Sequence, residues 1–96
     1  MLFVATCTDK PESVAKRLET RPAHLAYLAS LGRRVKLGGA LLSDDQQTVV
    51  GSLLVFEGDS EGEVAELCAQ DPYAMAGLFA SVDIKPWRQA VGAPLA

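Results

Sequence analysis

Runs with strand character and runs with helical spacing alternate along this chain in one order: strand, helix, strand, strand, helix, strand. Its 96 residues have room for one such series and for no second core. The order is the βαββαβ split motif of ferredoxin-like folds, an α+β architecture built on a four-stranded antiparallel sheet. Helices cover one face of that sheet. The other face needs a second layer, and for so short a chain another copy of itself is the economical source. A single domain over 1–96 and a homodimer are therefore expected.

Each element has its own signal. Residues 2–8 are apolar and β-branched at their centre and end at Asp9-Lys10-Pro11, as a buried strand would. Pro11 suits the first turn of a helix, and the spacing of Val14 and Leu18 predicts helix over 12–19. Pro22 disfavours α geometry at Arg21, so the helix should kink or restart with Pro22 as its first residue. Leu25, Leu28 and Leu31 then form an apolar stripe, and Gly32 is a natural stop. The run 35–42 is strand-like around Gly38-Gly39, a pair that signals a bulge or a close backbone approach. A polar loop over 43–47 leads to the strongest strand, 48–56. Ser60 and Glu63 have capping-box spacing, and Val64, Leu67 and Cys68 make the stripe of the helix that follows. Asp71-Pro72-Tyr73 opens a short element. Residues 78–87 return to strand character, with Pro86 placing that strand's end at a sheet edge. The tail after Gln89 has little to pack and is expected to be loose.

Composition narrows the partners. Hydrophobic residues make up 49% and charged residues 22%, the balance of a globular protein rather than a disordered one. No apolar run approaches the roughly 18 residues of a membrane span. The first residues have neither the basic start nor the long apolar stretch of a signal peptide, so a cytoplasmic location is expected. Cys7 and Cys68 stand outside any CxxC or Cys/His cluster, which argues against a zinc site and for free thiols. A net charge of −3 argues against nucleic acid as a partner. The charge is uneven: seven Lys/Arg against three Asp/Glu through Ser43 give +4, and two against nine afterwards give −7. The two halves could face each other within a chain or across a dimer, or simply be solvated.

Few residues can carry chemistry. The single histidine, His24, shares a helix face with Tyr27, Leu28 and Leu31. That is the packed face, so His24 is either a satisfied core group or a site group. A helix restarting at Pro22 would put its positive end near His24 and favour a neutral imidazole able to act as a base. Asp71 before Pro72 has the chemistry of an N-cap, and nothing in the linear sequence puts it beside His24. Tyr27 and Tyr73 could offer hydroxyls to a pocket or pack. Arg17 and Arg21 could attract an anion or be solvated. Phe3, Phe56, Phe79 and Trp87 read as core or dimer-interface aromatics. Gly38-Gly39 lacks the surroundings of a phosphate loop, and no GxSxG elbow occurs. Both cysteines fall on buried faces, where thiols are usually inert.

Taken together, the stretch 16–28, with Arg21-Pro22-Ala23-His24-Leu25, resembles the first signature of the YciI-like (YCII-related) domain family. Residues 71–79, with Asp71-Pro72-Tyr73, resemble its second. Gly38-Gly39-Ala40-Leu41 is similar to the family's glycine-containing strand, and Lys85-Pro86-Trp87 to its closing segment. The likeness covers nearly the whole chain in the right order. It implies a ferredoxin-like dimeric α+β barrel with His24 and Asp71 in one pocket. It also implies proton transfer on small anionic or cyclic compounds, by isomerisation or by elimination such as dehydrochlorination. No cofactor and no metal are implied. His24 would be the general acid/base, Asp71 its orienting partner, and Tyr73 and Arg21 substrate-binding groups. The competing reading is a non-catalytic ligand-binding or protein-interaction module, with the pair as a structural contact. An open pocket with one imidazole nitrogen free favours the enzyme; a sealed pocket with both nitrogens bonded favours the module. A third reading, redox sensing by Cys7 or Cys68, requires an exposed thiolate.

Overall fold

The computed structural model describes residues 1–95. Four strands form one antiparallel sheet: β1 (Leu2–Asp9), β2 (Val35–Leu42), β3 (Val49–Glu57) and β4 (Phe79–Trp87). Their spatial order is β2-β3-β1-β4, the ferredoxin-like arrangement, with Pro86 on an edge strand as its missing N–H requires. Helices α1 (Val14–Ser30), α2 (Glu61–Ala69) and the short α3 (Pro72–Met75) complete the chain. Register and alternation separate the sheet's two faces. Phe3 pairs with Phe56 and Ala5 with Leu54, and these four join Val64, Leu67 and Cys68 in the core under the helices. Val4 pairs with Val55 and Thr6 with Leu53 on the opposite face, where Leu37 and Trp87 stand partly exposed. None of the helices is long and apolar enough to cross a membrane.

The expected helix restart at Pro22 does not occur: α1 runs unbroken through it. Proline removes the bond to the Leu18 carbonyl, but Leu18 is 66% exposed, so water can serve that carbonyl. Buried contacts grip the helix on both sides of the proline, through Arg17 before it and His24 after it, and keep it continuous. The start is also later than 12. Glu12 has φ +58, which no helix admits, and Ser13 is the flanking residue before Val14. Gly32, at φ +59, ends the helix as expected and leads into a 3-10 turn over Gly32–Arg34. Of the leucine stripe, Leu28 and Leu31 pack against the core while Leu25 is half exposed.

Several local expectations hold in detail. The Ser60 hydroxyl accepts from the Glu63 N–H at 3.1 Å, and the Glu63 carboxylate accepts from the Asp59 N–H at 2.9 Å. The 43–47 loop closes on itself, with Ser43 Oγ donating to Asp45 Oδ1 at 2.6 Å and Ser43 N donating to the Thr48 carbonyl. The close approach expected at Gly38-Gly39 falls on Gly38, whose added Cβ would lie 2.5 Å from Leu54 Cδ2. The ladder's irregularities flank the pair, between Val35 and Leu37 and between Leu41 and Leu42. Beyond β4 the tail forms no helix or strand among the described residues, and the Gln89 side chain bonds Val91, Ala93 and Leu95. Residue 96 of that tail lies outside the described residues.

A tighter contact lies in β3. A Cβ on Gly51 would sit 2.3 Å from the Cys7 carbonyl oxygen, a backbone atom that cannot step aside. Gly51→Ala should therefore lower stability by about 1–3 kcal/mol. Gly39→Ala, whose Cβ meets nothing within 4 Å, should stay within about 0.5 kcal/mol of wild type. Urea titration of the two variants checks the contrast.

Both cysteines are buried and free. Burial pushes the Cys7 thiol up to about 12 and the Cys68 thiol up to about 11, with Asp71 adding to both. At neutral pH neither is a thiolate, which removes the redox-sensing reading. In the unfolded chain both ionise near 9.0. Unfolding thus releases protons above that pH, and stability conferred by the neutral thiols is lost as pH rises from about 9 towards 11–12. Urea midpoints should fall more steeply with pH over that window in wild type than in Cys7→Ala/Cys68→Ala; equal slopes would refute the assignment.

Candidate active site

One helix and one corner bring the site together. His24 lies well inside α1, so the helix-terminus field expected to act on it is absent; a carboxylate acts on it instead. That carboxylate is Asp71, at the start of α3. Its backbone is extended (φ −61, ψ 132), Pro72 follows as the first helical residue, and Asp71 Oδ1 accepts from the Tyr73 N–H at 2.8 Å. The same carboxylate lies 2.8 Å from His24 Nδ1 through both oxygens. The residue is 2% exposed and His24 6%. A carboxylate only accepts, so Nδ1 carries the proton that is shared. In the neutral ring Nε2 then holds a lone pair.

Nε2 bonds no protein group among the described residues. No enclosed side-chain nitrogen or oxygen there lacks a partner, so Nε2 must reach the open space beside it. That space is a cavity of about 250 Å³ between α1, the Gly38–Ala40 stretch of β2, and Ser52 and Leu54 of β3. Tyr73 forms one of its walls. The Tyr73 ring stacks on the imidazole at 3.9 Å and 18°. Burial pushes the Tyr73 hydroxyl above its usual pKa, against the pull of Arg17.

Arg17 is the residue that sequence reasoning placed least well. It is 7% exposed, not solvated. Nε and Nη2 donate to the two Asp9 oxygens at 2.7 and 2.8 Å, Nη2 also donates to Ser52 Oγ at 2.9 Å, and the guanidinium carbon lies 4.5 Å from the Tyr73 ring centre. Burial works against its charge, but the hydrogen bonds and charge of Asp9 more than offset this and hold its pKa above the usual value. The signal was present: Arg17 lies seven residues before His24, two helical turns, and so shares its face.

The other expected residues separate cleanly. Arg21 borders the cavity from an exposed position at its mouth. Tyr27 lies outside it and donates its hydroxyl to the Leu67 carbonyl at 2.6 Å, a packing role. None of residues 43–47 borders the cavity. A wider open groove of about 620 Å³, edged by Pro86, Trp87 and Arg88, contains no comparable acid–base pair. No cluster of His, Cys, Asp or Glu among the described residues could hold a metal ion.

Comparison with known proteins fits this geometry. The chain is 36% identical to the YciI protein of Escherichia coli O6:H1, over 93% of this chain and 98% of that one. It superposes with a TM-score of 0.84 on 5-chloro-2-hydroxyhydroquinone dehydrochlorinase from Burkholderia phenoliruptrix, solved in complex with 2,5-dihydroxybenzoquinone. That pair is 35% identical, covering 94% of this chain and 96% of the dehydrochlorinase. SnoaB of Streptomyces nogalater, a cofactor-independent oxygenase, shares the fold at a TM-score of 0.59 and 17% identity, over 96% of each chain. The YCII-related domain matches residues 1–88, and the chain belongs to that family.

Proposed function

We propose that this chain is a small-molecule enzyme that transfers protons without a cofactor, with His24 as general base and acid and Asp71 as its orienting partner. The observation that carries this is the free Nε2 edge of a buried imidazole, held by a carboxylate and facing a cavity. A carboxylate on Nδ1 fixes the tautomer and stabilises the imidazolium that forms when Nε2 takes a proton. A purely structural pair would have been expected to bond both nitrogens in a sealed pocket. The likeness to the dehydrochlorinase supports elimination of a proton and a leaving group from a small ring, and isomerisation needs the same groups. Arg21 at the mouth and Tyr73 on the wall are the proposed substrate contacts.

Two measurements test this reading. Chloride release from 5-chloro-2-hydroxyhydroquinone, and solvent deuterium uptake into a panel of enolisable cyclic compounds, are followed for wild type and variants. His24→Gln should lower kcat by about 100-fold or more, the ordinary worth of a positioned base. Asp71→Asn keeps an oxygen that can cap α3 but loses the charge. It should also slow turnover, and 15N spectra of the single histidine should show the Nδ1–H tautomer giving way to a mixture. Wild-type turnover in His24→Gln would end the proposal.

The barrel in which such a site would sit needs a second copy. The sheet face bearing Val4, Leu37 and Leu53 has no helix over it and leaves Leu37 42% exposed, and we propose that a second chain covers it. Wild type should sediment at twice the chain mass at micromolar concentration, and Val4→Lys as a monomer. A monomeric wild type would refute the dimer.

A further inference from the structure

Resting on that reading of the cavity, we infer that Arg17, through its Nη1 edge, is an oxyanion-binding group of the site and selects substrates with an ionised oxygen. The guanidinium leaves part of its donor set unused. Of its five N–H donors, those on Nε and Nη2 serve Asp9 and Ser52. The two on Nη1 donate to no carboxylate or carbonyl at hydrogen-bonding distance among the described residues, although the Tyr73 hydroxyl also interacts with the guanidinium. Arg17 is 7% exposed, no enclosed side-chain nitrogen lacks a partner, and the residue lines the His24 cavity, so Nη1 opens onto it.

The surroundings fit an anion. The ionisable residues lining the cavity are Arg17, Arg21, His24 and Tyr73. The carboxylates behind it, Asp9 and Asp71, are turned to the far edges of Arg17 and His24. The remaining lining is Ser52, already bonded to Arg17, with apolar residues and glycine. Arg17 and His24 both touch the Tyr73 ring, at 4.5 Å and 3.9 Å between centres. Their separation cannot exceed the sum of those distances, short enough for one six-membered ring to reach both. A compound whose acidic proton faces Nε2 would then place on Nη1 the oxygen that takes up the negative charge, an enolate or a phenolate. The proton moves to Nε2, the electron pair delocalises onto that oxygen, and no other reactant is required. Arg21, exposed at the mouth, can draw an anion in but is not held in place by any bond among the described residues.

The test is equilibrium binding of two probes, the acidic 2,5-dihydroxybenzoquinone and its neutral dimethyl ether, by calorimetry with His24 ring shifts as a second readout. Arg17→Lys keeps a cation for Asp9 but loses the fork. Should it fail to fold, Asp9→Leu/Arg17→Met removes both buried charges together, leaving neither unpaired. The expected result is a loss of tenfold or more in affinity for the acidic probe, with the ether changed less than twofold. Arg21→Ala should weaken the acidic probe less than Arg17→Lys does. Undiminished binding of the acidic probe in both Arg17 variants overturns the inference, as does an equal loss of both probes, or no binding of the acidic probe to wild type. His24→Gln separates this from the parent reading: if it leaves turnover intact while Arg17→Lys still abolishes anion binding, the base assignment fails and the oxyanion site stands.

Discussion

The Asp71 carboxylate ties this fold together. An ionised carboxylate removed from water costs several kcal/mol unless its oxygens are bonded, and here every contact is to a different part of the chain. Tyr73 N–H fixes the start of α3, and His24 Nδ1 fixes the middle of α1. The corner between α2 and α3 must therefore sit against α1. Once it does, Tyr73, two residues on, falls onto the imidazole as a stacked ring. The cavity wall is a consequence of how the helix begins.

A second buried pair repeats the device two turns earlier on α1. Asp9, at the end of β1, takes the inner edge of Arg17 as Asp71 takes the inner edge of His24. Both carboxylates are spent on the far side of their partners. Removing either acid would leave a cavity group loose, and removing either base would leave a buried charge unpaired, typically a loss of about 3–5 kcal/mol. The two pairs also explain why Pro22 does not break α1. They clamp it on either side of the proline, at a cost of one hydrogen bond whose carbonyl lies on the exposed side.

How much of this was legible in the sequence depends on whether a feature is local. The strands, the Gly32 stop, the Ser60–Glu63 cap and the Asp71-Pro72 start all appear within a few residues of their cause, and all are found. Pro22 was misread because its local preference is overruled by contacts with Asp9 and Asp71, which are distant in sequence. Arg17 was left open for the same reason. The sequence leaves it between drawing an anion and being solvated, and only the fold brings Asp9 and Ser52 to it. The pairing of His24 with Asp71 is 47 residues long and was reachable only through family resemblance.

Asp71 also shows why two readings that looked exclusive were not. The linear sequence makes it an N-cap, and the family resemblance makes it a partner of His24. A carboxylate has two oxygens with about four lone pairs, and an N-cap uses only one of them. Oδ1 caps α3 and also faces Nδ1, while Oδ2 is given wholly to the imidazole. Structural and chemical roles thus reside in one group. The cap holds the carboxylate at a fixed angle, and that angle points the imidazole's free nitrogen into the cavity. An asparagine would keep the cap and lose the charge, so the cap alone does not demand an aspartate. Under the proposed function, what would demand it is the imidazolium that forms when Nε2 accepts a proton inside a buried site.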